Sequence, residues 1–501
     1  SLYQTIRLIM RIIQTFYTKN IRQNNSYGNW LTEESSYVCW ALSCLMARKL
    51  YGAIELYTDY FGADILVNKF RLPYDKVHIV FDNASILNEM PSYLWAASKI
   101  YTYSLQTEPF VHIDGDFVFW KKFELNKPLL FQNIEYEVPL YQRLYHALKK
   151  NRGHSAFEQC LNDDFIGGAF NMGLFGGTQL QTIRDYSQHS LEYALLNRTN
   201  PIFEANRTDI NCFIEQYYAY YMVRRSSISE AAIHNPVRYE SKKKEEIADF
   251  NLCEKSVGFS HYLGKSKQNY YVIDFIHKEL SKNFRNDYER IHQYLKNGRC
   301  KKNYFARVND KININDLCED LITRLNKCHY YIDDELKEDY KQYLRDRLFL
   351  LNKKLSNNSL PISTPSEVLT MRDLTYRTKV RLNDNFLLIK KYLCPWSEMY
   401  KAENFVYKEK IITKDDINIK YPKYCIYAWL PSEQSLPSVW VDNITAYFIY
   451  KVLSKEYQAI EIIQEKLNRL LKDDNQTLPL KYIINLLGTV NKYKILDFSN
   501  E

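Results

Sequence analysis

"FVHIDGDFVF" runs from Phe110 to Phe119, and its reading decides the fold. Its flanks have the composition of a buried strand, yet Asp114 and Asp116 sit at its centre around Gly115. In a strand, residues i and i+2 point to one face, so both carboxylates project together if the strand runs through them. Two ionised carboxylates this close repel, and burying them is costly unless a cation compensates. A divalent metal is a natural compensation, since Mg2+ or Mn2+ commonly joins one or two carboxylates to substrate phosphates. Gly115 leaves room for a ligand to approach the backbone. The same three residues also read as a plain turn between two short strands.

The surrounding chain alternates between the two hydrophobic periods. "RIIQTFY" (11–17) is β-rich, and "TEESSYVCWALSCLMARKLYG" (32–52) is helical, with Thr32 as N-cap and Gly52 as its stop. "AIELYTD" (53–59) and "KVHIVFD" (76–82) read as strands, and 91–105 as a helix with Pro91 in its first turn. This alternation predicts a mostly parallel sheet with helices on both faces and right-handed crossovers. Ligands of such sheets sit beyond the carboxyl ends of the strands. From Tyr270 the chain becomes helical and charged, "SNNSLPISTPSE" (356–367) reads as a linker, and 368–440 is strand-rich. The expected domains are therefore 1–270, a helical accessory region 271–356, and an α+β domain 357–501.

Composition narrows the function classes. The 501 residues carry 67 basic and 59 acidic side chains, a net charge of +8 that suits a local anion-binding cleft and does not argue for nucleic acid. Ten cysteines are scattered without a C-x-x-C pair, which reads as reduced thiols in a cytoplasmic protein with neither zinc site nor disulfide framework. The apolar start is interrupted by Arg7 and Arg11, too short and charged to span a bilayer, and no other stretch reads as transmembrane. Residues 1–9 read as an extension ahead of the first strand.

Three further constellations could carry chemistry. "FNMGLFGG" (170–177), after Gly167 and Gly168, reads as a glycine-rich turn, with Asn171 able to hydrogen-bond a sugar hydroxyl. "HYLGKSK" (261–267) offers His261 as a metal ligand, Gly264 for an unusual turn, and Lys267 as a point charge for phosphate. "DINCFIEQYYAYYM" (209–222) is an amphipathic helix in which Glu215 is either a catalytic carboxylate or a buried acid matched by a base. His112 reads as a core histidine, the tyrosines at 217–218 and 220–221 as core, and the charge run 241–250 as a solvated face.

Taken in order, these pieces resemble the glycosyltransferase A fold, most closely the family 8 retaining enzymes of the glycogenin and galactinol synthase type. The resemblance covers residues 10–270. It rests on Lys99 ahead of Asp114-x-Asp116, on Asn171-x-Gly173 after Phe170, on the pair Glu215-Gln216, and on His261-x-x-Gly264-x-x-Lys267. It implies a Rossmann-like mixed sheet flanked by helices, followed by a mainly helical C-terminal region. It also implies an enzyme that moves a sugar from a UDP-sugar to an acceptor with retention. Asp114, Asp116 and His261 would bind Mn2+ or Mg2+, and Gly115, Gly264, Lys267 and Lys99 would line the donor diphosphate. Thr15, Phe16 and Tyr17 would lie near base or ribose, and Asn171, Gly173, Glu215 and Gln216 along the sugar and acceptor side, with the last two as catalytic candidates. Glu215 stands where the family has Asp, which puts the retaining outcome in doubt.

The last ~70 residues resemble the small winged-helix modules that bind leader peptides in bacterial peptide-modifying enzymes. The acceptor would then be a peptide, or else a glycan, as in modification of a bacterial natural product. Two other functions stay open: a glycosyltransferase-like binding module without turnover, and a nucleotidyltransferase, which also uses paired aspartates and metals.

Overall fold

The computed structural model describes residues 10–24, 26–150, 155–238, 257–295, 330–355, 374–394, 410–412, 424–429, 438–471 and 478–499, with a few isolated residues besides. The linker 356–367, the charge run 241–250 and residues 1–9 lie outside the described residues. The chain divides into two compact units, one of residues 1–268 and 275–299, the other of 269–274 and 300–501. Among the described residues no helix is long and apolar enough to cross a membrane.

The first unit is built on strands β1 (Arg11–Phe16), β2 (Glu55–Thr58), β3 (Lys76–Ile79), β4 (Phe110–Ile113), β6 (Leu129–Tyr136), β7 (Gly168–Gly177), β8 (Glu230–Ala232) and β9 (Val237–Arg238). They form one sheet in the order β3-β2-β1-β4-β7-β6-β8, with β9 also on β6. Strands β3, β2, β1 and β4 are parallel, whereas β7 runs antiparallel to both β4 and β6. The sheet is thus mixed and flanked by helices, and the antiparallel β7 is what departs from the mostly parallel expectation. Two short strands, β5 (Phe117–Phe119) and β10 (Phe259–His261), make a separate antiparallel pair.

Local chemistry explains where several elements begin and end. Thr32 caps the helix Glu33–Tyr51 by accepting from Ser35 N, with Glu33 and Glu34 in the first turn and Gly52 closing it. The helix carrying Lys99 spans Ala96–Ser104 and does not include Pro91. The segment ahead of it turns once, with Leu94 N donating to Pro91 O, and Asn211 Oδ1 then accepts from Ala96 N. The glycine-rich 168–177 is no turn: it is a ten-residue strand buried along its whole length. Its glycines serve close packing between strands and side chains, which sequence cannot distinguish from turn chemistry. The core between sheet and helices is aromatic, with Tyr103 packed on Phe110, Phe175 and Tyr186.

In the second unit, helix Asp334–Leu355 packs with an antiparallel sheet of Phe386–Lys391, Tyr424–Ala428 and Ser438–Val441 around Tyr340, Tyr343, Tyr392, Trp396 and Tyr427. At its C-terminal end, helices Asn443–Lys451, Ile460–Leu471 and Leu480–Asn491 precede strand Leu496–Ser499. That strand pairs antiparallel with Lys379–Leu382, which also pairs with Gln458–Ala459.

Removing the Thr32 cap tests the reading of the first long helix. Thr32→Ala is expected to destabilise the first unit by about 1 kcal/mol, seen as an earlier urea midpoint for its transition, and an unchanged midpoint would contradict the cap.

Candidate metal and diphosphate site

The stretch 110–119 does not continue as one strand. Phe117 N donates to Asp114 O, a turn that ends β4 and sends β5 into the other small sheet. The turn reading of Asp114-Gly115-Asp116 is therefore correct about the backbone, and the same-face argument is not what unites the carboxylates. They are united by β10, which pairs with β5 so that His261 lies opposite Phe117, directly beside Asp116. Ligand atoms of Asp114, Asp116 and His261 all lie within 4.8 Å of one another.

The turn is held from below by a chain of buried polar groups. Trp40 Nε1 donates to Tyr74 OH (2.9 Å), Tyr74 OH to Gln14 Oε1 (2.8 Å), and Gln14 Nε2 to Ser43 Oγ (2.9 Å). Ser43 Oγ then donates to Phe117 O at 2.5 Å. A Cβ at Gly115 would lie 1.9 Å from Trp40 Cε3, so only glycine lets the turn rest on this indole. Phe16 also packs on Trp40, with ring centroids 4.7 Å apart and the ring planes tilted by 51°. Phe16 is 7% exposed there. Thr15 Oγ1 meets His112 Nε2 at 3.1 Å, and Tyr17 packs half-buried on Phe81.

Each aspartate has its own lysine. Lys99 Nζ lies 2.8 Å from Asp114 Oδ1, 2.7 Å from Glu215 Oε1, and donates to Met172 O at 2.9 Å. Lys267 Nζ lies 2.5 Å from Asp116 Oδ2, and His261 Nε2 lies 3.5 Å from Asp116 Oδ1. Burial alone would lower the Lys99 pKa, but Asp114 and then Glu215 more than reverse this and hold it charged. Burial raises the Asp114 carboxyl above the ordinary range against the pull of Lys99. It would raise Asp116 too, but Lys267 and His261 outweigh it and hold that carboxyl well below the ordinary range. Burial likewise raises Glu215. His112 is kept neutral by burial and by the Lys99 charge, as befits a core histidine.

The donor set fits a hard or borderline divalent cation: two carboxylates and one imidazole, with Asp116 Oδ1 buried and accepting no hydrogen bond among the described residues. Lys99, Glu215, Asp114, Asp116, His261 and Lys267 are thus brought together. Glu215 sits in a π-helical turn, Phe213–Tyr217, inside the helical run 209–224, a distortion common at functional sites. Its neighbour Gln216 is engaged elsewhere, accepting from Tyr141 OH at 2.6 Å. Asn171 is buried and donates to Glu135 Oε1 at 2.7 Å, while its own oxygen accepts from Gly173 N. Gly173 makes room for the His261 ring: a Cβ there would lie 2.3 Å from His261 Cε1. Gly264 adopts φ +49° at the start of the 3-10 turn Gly264–Gln268 that carries Lys267.

Sequence reasoning missed Gln132, Asn133 and Glu135, three buried polar residues in β6. Their signal was present as "QNIE" inside an otherwise apolar strand, "LLFQNIEY". It also missed Ser43, Gln14 and Tyr74, which look ordinary until the turn they support is known.

Comparison with known proteins supplies a family and no activity. The model of the Family of unknown function (DUF6734) matches residues 10–294. No curated protein matches the chain. Among solved structures the chain is similar to mouse xyloside xylosyltransferase 1 in its apo form, at 10% identity over 44% of this chain and 84% of that one, with a TM-score of 0.25. A score that low carries no argument for function, which must rest on the site.

Gly173→Ala pushes directly on the His261 ring. It is expected to weaken Mn2+ binding by about tenfold or more in calorimetric titration, with the circular dichroism spectrum retained. Wild-type affinity in a folded variant would mean that His261 is not a ligand.

Proposed function

The chain belongs to this family of unknown function, and from the site itself we propose that it is a metal-dependent glycosyltransferase using a UDP-sugar. The observation that carries the reading is the meeting of Asp114, Asp116 and His261 beyond the carboxyl end of β4, flanked by two lysines. Breaking a sugar–phosphate bond leaves a diphosphate of growing negative charge, and fixed positive charge is most effective where such charge develops. A divalent ion, Mn2+ or Mg2+, held by Asp114, Asp116 and His261 would supply that charge when bound. Lys267, carried on the short 3-10 turn after β10, would then exchange its Asp116 partner for a phosphate oxygen.

Glu215 has no exposed surface and is paired to Lys99, which supports a holding role over that of a nucleophile. In this reading Glu215 keeps Lys99 charged and aimed between Asp114 and the strand β7. The bond from the sugar carbon to the diphosphate oxygen breaks as the acceptor hydroxyl forms its bond on the same face. The acceptor proton passes to the departing diphosphate, and the sugar keeps its configuration. The acceptor is a glycan or a peptide.

Incubation with a panel of UDP-sugars and Mn2+ tests the proposal. UDP release that requires Mn2+ and vanishes in Asp116→Ala is expected. No release from any donor would contradict it, and pyrophosphate from a nucleoside triphosphate would point to nucleotidyl transfer. Lys267→Met separates the two roles of that lysine. Its affinity for Mn2+ alone should hold or rise, because a cation competing for Asp116 is gone. Its Mn2+-dependent affinity for UDP should fall roughly ten- to hundredfold, the worth of a charge-assisted hydrogen bond. Unchanged UDP affinity would remove Lys267 from the diphosphate cradle.

A further inference from the structure

A directional chain of hydrogen bonds runs along β6 toward His261. It begins at the carbonyl oxygen of Ile134, which can only accept. Asn133 Nδ2 donates to it at 3.2 Å, so Asn133 Oδ1 is left as an acceptor. Gln132 Nε2 donates to that oxygen at 3.0 Å. The Gln132 amide is thereby oriented, with its oxygen turned the other way. Gln132 is 0% exposed, and its Oε1 has no hydrogen-bond partner among the described residues.

A second buried atom lacks a partner at the same place. His261 is 3% exposed, and its Nδ1 has no hydrogen-bond partner among the described residues. A Cβ built on Gly173 would lie 2.4 Å from His261 Nδ1 and 2.7 Å from Gln132 Oε1, so both atoms reach into the space that this glycine leaves open. The pairing of β6 with β7 is irregular between Phe131 and Asn133, which sets Gln132 at a kink in the ladder facing this space. An amide oxygen accepts and cannot donate. Neutral imidazole satisfies it only as the Nδ1–H tautomer, which leaves the lone pair on Nε2. Nε2 is the nitrogen that faces Asp116.

We propose that Gln132 is a positioning residue: its Oε1 accepts from His261 Nδ1–H and so fixes the ring with Nε2 presented to a divalent cation. The inference rests on the metal-site reading above and adds to it the group that selects the tautomer and orientation of the nitrogen ligand. Such outer partners raise ligand basicity and restrict the ring, and their loss typically weakens metal binding.

Two measurements test it, both on the full chain. The first is 15N NMR of His261 in the wild-type, metal-free protein, at a pH where the 15N shifts themselves show a neutral ring. The Nδ1–H tautomer is expected, and the Nε2–H tautomer would overturn the proposal. The second is calorimetric titration with Mn2+ alone. Gln132→Leu, which removes the acceptor, should bind about ten- to hundredfold more weakly than wild type. Gln132→Glu, which restores an acceptor, should recover the affinity. A folded Gln132→Leu that binds Mn2+ like wild type would overturn the role of Gln132 and leave the metal site standing. A wild-type protein that binds no Mn2+ would overturn the site and this inference together. If Gln132→Leu does not fold, the wild-type tautomer decides alone.

Discussion

Two carboxylates held one residue apart in a largely buried turn repel, and the first unit is organised around relieving that repulsion. Asp114 is answered by Lys99 and Asp116 by Lys267, each within ion-pair distance. The two answers differ in kind. Lys99 comes from a buried helix, is shared with Glu215, and is anchored to the backbone of β7. Lys267 comes from a short 3-10 turn after β10. The asymmetry leaves Asp116 ionised and Asp114 less acidic, which is how neighbouring carboxyl groups in unequal surroundings divide their acidity.

The fold supplies the means of bringing these groups together. A parallel run of β1, β2, β3 and β4 delivers the turn to the carboxyl edge of the sheet, and β10 returns from far along the chain to pair with β5. Without that pairing His261 and Lys267 would have no fixed relation to the aspartates. Beneath the turn, the Trp40–Tyr74–Gln14–Ser43 chain satisfies buried polar groups that would otherwise be costly, and it ties the turn to the long helix Glu33–Tyr51.

Much of this was legible in the sequence where the signal is local. The helix after Thr32 announces itself through its cap, its acidic first turn and Gly52, and the structure keeps all three. The Asp-x-Asp stretch and "HYLGKSK" stand out because charged groups and glycines interrupt their surroundings. What was not legible depends on contacts distant in sequence. The glycines of 168–177 read as turn formers, whereas Gly173 is needed because the His261 ring occupies the place of its side chain. The packing of Phe16 on Trp40 likewise joins residues that no local pattern connects. The break of 110–119 into strands of two sheets follows from the partner of β5, which no local pattern reveals. The polar run in β6 acquires meaning only beside Asn171 and His261.

The central claim is that Asp114, Asp116 and His261 hold one divalent ion together. Pulsed electron paramagnetic resonance of the protein titrated with Mn2+ addresses it most directly. The account predicts one tightly held ion per chain with a single coupled imidazole nitrogen, and loss of that coupling in His261→Ala. A bound ion without nitrogen coupling, or no bound ion at all, would contradict it.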